Sequence, residues 1–135
     1  MRPLIFSIIA AAAVAVSPAA TAKEKLSPEA QLEKMLEGRV AGEPQKCIPL
    51  ASARSSTVID GTAIVYRSGS TLWVNRPRSG AESLDDDDIL VLKTSSSQLC
   101  SIDTLELRDR SSHMYSGFVA LGDFVPYRKP EGAKK

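Results

Sequence analysis

This chain of 135 residues holds one histidine, two cysteines and one tryptophan, and its formal charge is only +1. Each scarcity removes a class of function. A structural zinc site takes four His, Cys or carboxylate ligands, and one histidine beside two cysteines does not make the usual set. Without a Cys-x-x-Cys pair there is no dithiol redox centre. A chain with almost no net charge has no long-range field with which to gather nucleic acid or anionic lipid, so no nucleic-acid partner is expected. No glycine-rich phosphate loop is present and no Gly-x-Ser-x-Gly elbow. After Val16 no apolar run approaches the ~20 residues of a membrane-spanning helix. No cofactor is implied by any motif.

What is present begins at the N-terminus. Arg2 gives a positive first segment, Leu4 to Val16 is almost unbroken apolar sequence, and Ala20-Thr21-Ala22 supplies small residues ahead of Lys23-Glu24-Lys25. This order predicts a secretory signal peptide over residues 1–22 and an exported, periplasmic product. Lys23 rather than a cysteine stands at the expected new N-terminus, so no lipid anchor is expected. Removing residues 1–22 from 135 leaves 113, enough for one domain with one core. Arg2 leaves with the signal, so the remaining chain carries 16 basic and 16 acidic residues. Cys47 and Cys100 both remain, and as the only pair in an oxidising compartment they are expected to be joined. Closing a loop of 53 positions would stabilise the fold by roughly 4 kcal/mol in the chain-entropy view.

Residues 23–46 read as a helix and a connector. Ser27 is a good N-cap, Pro28 suits the first helical position, Glu29 complements the dipole and Gly38 ends the helix. Leu32, Met35 and Leu36 make one narrow apolar stripe suited to docking on a sheet. Residues 47–128 read as a single disulfide-linked β domain, and 129–135 as a mobile polar tail. Strands are expected over Thr57–Ile59, Thr62–Tyr66, Thr71–Asn75, Ile89–Leu92, Asp103–Asp109, Phe118–Leu121 and Phe124–Tyr127. Asp60-Gly61 and Ser68-Gly69-Ser70 supply the first two turns. About seven short strands with turn chemistry between them predict a small antiparallel barrel or sandwich, with one short N-terminal helix covering an end or edge.

Four clusters compete as sites. Asp85, Asp86, Asp87 and Asp88 invite a metal assignment, but calcium needs about six to eight converging oxygens, and adjacent aspartates on an extended segment diverge. They read as a solvated acidic loop guarding the apolar strand that follows; a weak cation site with Asp60, Asp103 or Asp123 is the alternative. His113, in Ser111-Ser112-His113-Met114, reads as a turn residue rather than an acid or base. Tyr66, Arg67, Trp73, Asn75, Arg76 and Arg78 form a basic-aromatic cluster. Alternation separates Trp73 from Leu72 and Val74, so Trp73 either grips a ligand on an open face together with Tyr66, Arg76 and Arg78, or lies buried beneath the helix. Ser95 to Ser97 read as loop residues.

Gly38-Arg39-Val40-Ala41-Gly42-Glu43-Pro44, Cys47-Ile48-Pro49-Leu50 and Ser56-Thr57-Val58-Ile59-Asp60-Gly61-Thr62 together resemble a family of small exported proteobacterial proteins classed as a domain of unknown function. The likeness continues through Val74-Asn75-Arg76, Ser97-Gln98-Leu99-Cys100-Ser101-Ile102-Asp103 and Leu121-Gly122-Asp123-Phe124-Val125-Pro126. It implies a periplasmic, disulfide-linked domain and carries over no activity. Some members have two further cysteines, near positions held here by Gly80, Ser83 and Phe118, so the resemblance implies a single bridge in this chain.

The function expected is a non-catalytic periplasmic module that binds a protein or envelope component or serves a structural role. One alternative is an inhibitor of an envelope-attacking hydrolase, which would present a Ser-Gly loop such as Ser68–Ser70. Another is a hydrolase built on converging carboxylates.

Overall fold

The computed structural model describes residues 24–132. The signal-peptide reading of residues 1–22 and the last three residues of the tail lie outside it. Lys129 to Gly132 are exposed and belong to no strand.

Helix α1 spans Pro28–Leu36, with the Ser27 hydroxyl oxygen accepting from the Ala30 N–H at 3.3 Å. Gly38 lies just beyond its end at φ 72, the left-handed conformation that glycine adopts without steric cost. Ten strands follow: β1 (Val40–Ala41), β2 (Cys47–Pro49), β3 (Ser56–Ile59), β4 (Ala63–Ser68), β5 (Thr71–Asn75), β6 (Asp88–Leu92), β7 (Gln98–Cys100), β8 (Thr104–Asp109), β9 (Tyr115–Ala120) and β10 (Phe124–Arg128). They form three antiparallel sheets in the orders β1-β10-β5-β4-β3, β2-β7 and β6-β8-β9. The described sheets do not close into a barrel; they stack as a sandwich.

All seven expected strands are present. The three further ones, β1, β2 and β7, are two or three residues long, too short for any periodicity to mark them. Two boundaries differ for local reasons. The connector before Cys47 contributes β1, which joins β10 as an edge strand. The first hairpin also needs three loop residues rather than two. Thr62 N–H donates to Ile59 O at 3.0 Å, Gly61 sits at φ 59, and Ile59 pairs with Ala63. With the left-handed Gly61 at its third position this is a type II turn, and it removes Thr62 from the strand.

The five-stranded sheet is covered on both faces. Its outer face packs Ile59, Ala63, Val65, Leu72 and Val74 beneath Leu32, with Met35 and Leu36 alongside, so the expected helical stripe does dock on a sheet. The inner face sets Val58, Ile64, Tyr66, Trp73 and Phe124 against Leu105, Leu107 and Val119 of the β6-β8-β9 sheet, and against Ile48 and Leu99 of the two-stranded sheet. Cys47 and Cys100 are directly opposite in the β2–β7 ladder and are joined by a disulfide. Among the described residues no helix is long and apolar enough to cross a membrane.

Candidate functional site

β3 and β6 each end their sheets, and the two strand edges border one cleft of about 450 Å³. Its walls come from Val58, Leu90, Leu92 and Leu105, and its rim carries Arg54, Arg110, Asp86 and Asp88. Tyr66 lines the same cleft. Its ring stands 6.0 Å from that of Phe124, tilted, and only 2% of the residue is exposed. The hydroxyl is buried with no hydrogen-bond partner among the described residues, and burial pushes its pKa well above the ordinary tyrosine value. An unmade hydrogen bond at a buried polar group costs about 1 to 3 kcal/mol. A native structure keeps few such groups, and each calls for a physical reason.

The charged rim is unevenly occupied. The Asp88 carboxylate accepts from Ser116 Oγ at 2.8 Å and from the Asp85 N–H at 3.2 Å, so both oxygens are engaged. Arg110 Nε stands 3.5 Å from Asp87. Arg54, which follows the short 3₁₀ turn Leu50–Ala53, makes no ion pair among the described residues.

The acidic run folds as a turn rather than an extended segment. Asp88 N–H donates to Asp85 O at 3.0 Å, and Asp85 Oδ1 accepts from Asp87 N–H at 2.9 Å. Asp60, Asp85 and Asp86 gather carboxylate oxygens within 4.8 Å of one another. Asp60 already accepts from Asp86 N–H at 2.7 Å and stands 3.8 Å from Lys25. The other two distant carboxylates are committed elsewhere: Asp103 accepts from Cys100 N–H at 2.7 Å, and Asp123 pairs with Lys46 at 2.8 Å.

The basic-aromatic cluster is dispersed. Trp73 is 8% exposed and faces the inner core, with the Arg128 guanidinium 5.8 Å from its ring. The helix covers the opposite face, over Leu72 and Val74. Alternation thus separates these side chains as expected, but the second sheet rather than the helix covers Trp73. Arg76 pairs with Glu29 of α1 at 2.6 Å, which raises the arginine pKa and lowers that of the glutamate. Arg78 donates from Nε to Leu121 O at 2.7 Å and from a terminal nitrogen to Ser101 O at 3.0 Å. Of the four residues singled out, Tyr66 alone borders the cleft.

His113 occupies a turn at φ 58, with its N–H donating to Asp109 O at 2.8 Å. The Ser68–Ser70 turn is held close to the body: Arg39 donates to Ser70 O at 2.5 Å and Ser52 Oγ to Ser68 Oγ at 3.1 Å. Elsewhere, Tyr115 and Phe118 stand more than half exposed on the outward face of the β6-β8-β9 sheet, beside Glu106, which pairs with Lys93 at 2.9 Å and with Arg108. Sequence reasoning missed Arg54, Arg110 and the leucines of β6 as neighbours of Tyr66, because their meeting depends on which strands end their sheets. The chain matches no protein-family model, no curated protein and no solved structure.

Proposed function

We propose that this protein is an exported, non-catalytic binding module of the cell envelope and that the cleft between β3 and β6 is its binding site. The observation that carries the reading is Tyr66, whose ring lines a cleft large enough for a side chain or small ligand and whose hydroxyl is buried without a partner among the described residues. A ligand group that hydrogen-bonds there would replace a missing contact rather than compete with an existing one. The apolar walls supply area and the mixed-charge rim supplies orientation. Export is supported by the N-terminal pattern of residues 1–22 together with the Cys47–Cys100 disulfide, which persists in oxidising compartments. The non-catalytic reading is supported by the commitments of the obvious acids and bases: each Asp88 oxygen accepts a hydrogen bond and His113 is a turn residue.

The test is affinity capture from periplasmic extract with the chain beginning at Lys23, wild type against Tyr66→Phe. The wild type is expected to retain a partner that the equally folded variant loses. Equal retention would move the binding site away from the cleft.

A further inference from the structure

The hydrogen-bonding side of β3 follows from its ladder. Arg67 N–H donates to Ser55 O at 2.8 Å, and the same register pairs Thr57 with Val65 and Ile59 with Ala63. In an antiparallel ladder the directly bonded pairs alternate with unbonded ones. Ser56 and Val58 therefore turn their N–H and C=O groups away from β4, and no described strand takes them up. Natural sheets commonly blunt such an edge with charge, proline or a bulge. Ser56-Thr57-Val58-Ile59 has no charged residue and no proline, and its pairing with β4 is regular.

Space lies on both faces of this edge. On the inner side is the cleft with Val58 and Tyr66. On the helix side is a second hollow of about 410 Å³, walled by Leu26, Met35 and Ile59. Thr57, Val58 and Asp86 border both. Successive side chains of a strand point to opposite faces, so a chain laid along β3 would send alternate side chains into the two hollows.

The geometry points to strand addition: β3 binds an extended peptide segment of a partner protein, with aliphatic side chains on the helix side alternating with amide-bearing side chains in the cleft. This rests on the cleft being the binding site, and it states the mode and the ligand. Leu26, Met35 and Ile59 offer the helix-side residue an apolar wall, with the polar Gln31 and Lys34 at its border. In the cleft Arg54 and Arg110 supply donors beside the Tyr66 side chain, while Asp86 supplies an acceptor. An asparagine or glutamine amide answers both kinds of group, whereas a carboxylate would face Asp86 and an ammonium would face Arg54 and Arg110. Backbone bonds to Ser56 and Val58 would supply affinity, and the two hollows the sequence preference.

A phage-displayed octapeptide library, panned against the disulfide-linked chain beginning at Lys23, tests this. Enriched peptides should alternate aliphatic and amide residues. Resynthesised with single N-methyl groups, they should lose about tenfold in affinity at every second position and little in between, one hydrogen bond being worth about that much. Val58→Pro and Ser56→Pro each remove an edge N–H while leaving the ladder to β4 intact, and each should weaken binding similarly. The N-methyl series covers the case in which a proline variant fails to fold. Peptides that respond to Tyr66→Phe but tolerate N-methylation at every position would keep the cleft as the site and overturn strand addition. Failure to enrich peptides would overturn strand addition alone, and enriched peptides indifferent to Tyr66→Phe would overturn both readings. Self-association of the free protein that Val58→Pro abolishes would assign the edge to a second copy of this chain and overturn the peptide proposal.

Discussion

Asn75 and Gly122 are joined by two reciprocal hydrogen bonds: the Asn75 amide donates to Gly122 O at 2.8 Å, and Gly122 N–H donates to Asn75 Oδ1 at 3.0 Å. Asn75 is fully buried. Its amide imitates a peptide group and so pairs the end of β5 with the β9–β10 turn where no strand continues. A Cβ on Gly122 would run into Arg76 O, so the turn can come this close only as glycine. Asn75→Leu keeps the approximate volume but strands two buried backbone groups, and it should cost about 3 kcal/mol. In a thermal melt that is a fall of roughly 10 to 15 °C for a domain of this size. A fall of only a few degrees would show that water replaces the amide.

The disulfide crosses the two-stranded sheet that carries Ile48 and Leu99 into the inner core. β2 and β7 pair only with each other, over three residues each, so the bridge fixes a two-stranded sheet that would be marginal alone. Alkylation of the native protein should label neither cysteine before reduction. Cys47→Ala with Cys100→Ala should lower unfolding stability by roughly 4 kcal/mol in denaturant titrations. An equal midpoint for oxidised and doubly substituted protein would refute the estimate.

Acid should destabilise the β8–β9 turn through Asp109. One of its oxygens accepts from the Ser111 hydroxyl at 2.6 Å, the Ser111 N–H at 3.0 Å, the Ser112 N–H at 2.7 Å and the Ser112 hydroxyl at 2.8 Å. These bonds favour the ionised form and depress the folded pKa far below its ordinary value of 3.8. A depressed folded pKa gives stability that is fully present above the unfolded value and lost as pH falls through the folded one. Glu29 and Glu106 act in the same direction through Arg76 and Lys93. Stability followed from pH 7 downward should therefore hold until about pH 4 and then decline. Asp109→Asn should be less stable at pH 7 and show a shallower acid limb. Parallel limbs for the two proteins would remove Asp109 from the account.

The helix and the longer strands were legible in the sequence because each carries its own signal. Ser27, Pro28 and Gly38 bracket α1, and β-branched runs with turn residues between them mark β3 to β5. β2 and β7 were not, since three residues have no period and Pro49 argues against a strand. Trp73 shows a subtler limit. Alternation separates it from Leu72 and Val74, but in a sheet buried on both faces each side is apolar, so the pattern does not say which side meets the helix. The cleft is harder still to read. Val58, Tyr66, Leu90 and Arg110 come together because β3 and β6 happen to end their sheets, a property of strand order that no local pattern encodes.

Trp73 and Tyr66 are neighbours in the β4–β5 register, yet they should respond to truncation in opposite ways. Trp73 contributes a large buried surface to the inner core and has the Arg128 guanidinium over its ring. Trp73→Ala should cost about 3 to 5 kcal/mol as a cavity, with any loss of binding following from unfolding. Tyr66→Phe removes only a hydroxyl that has no partner among the described residues. The ring and its contact with Phe124 remain, so stability should stay the same or rise by up to about 1 kcal/mol, while capture of the partner is lost. Melts of both variants beside the capture assay separate an aromatic that builds the core from one that also serves the site. If Tyr66→Phe instead loses 2 kcal/mol or more, a figure on the order of a satisfied buried hydrogen bond, then the hydroxyl already has an internal partner such as water and the cleft reading loses its support.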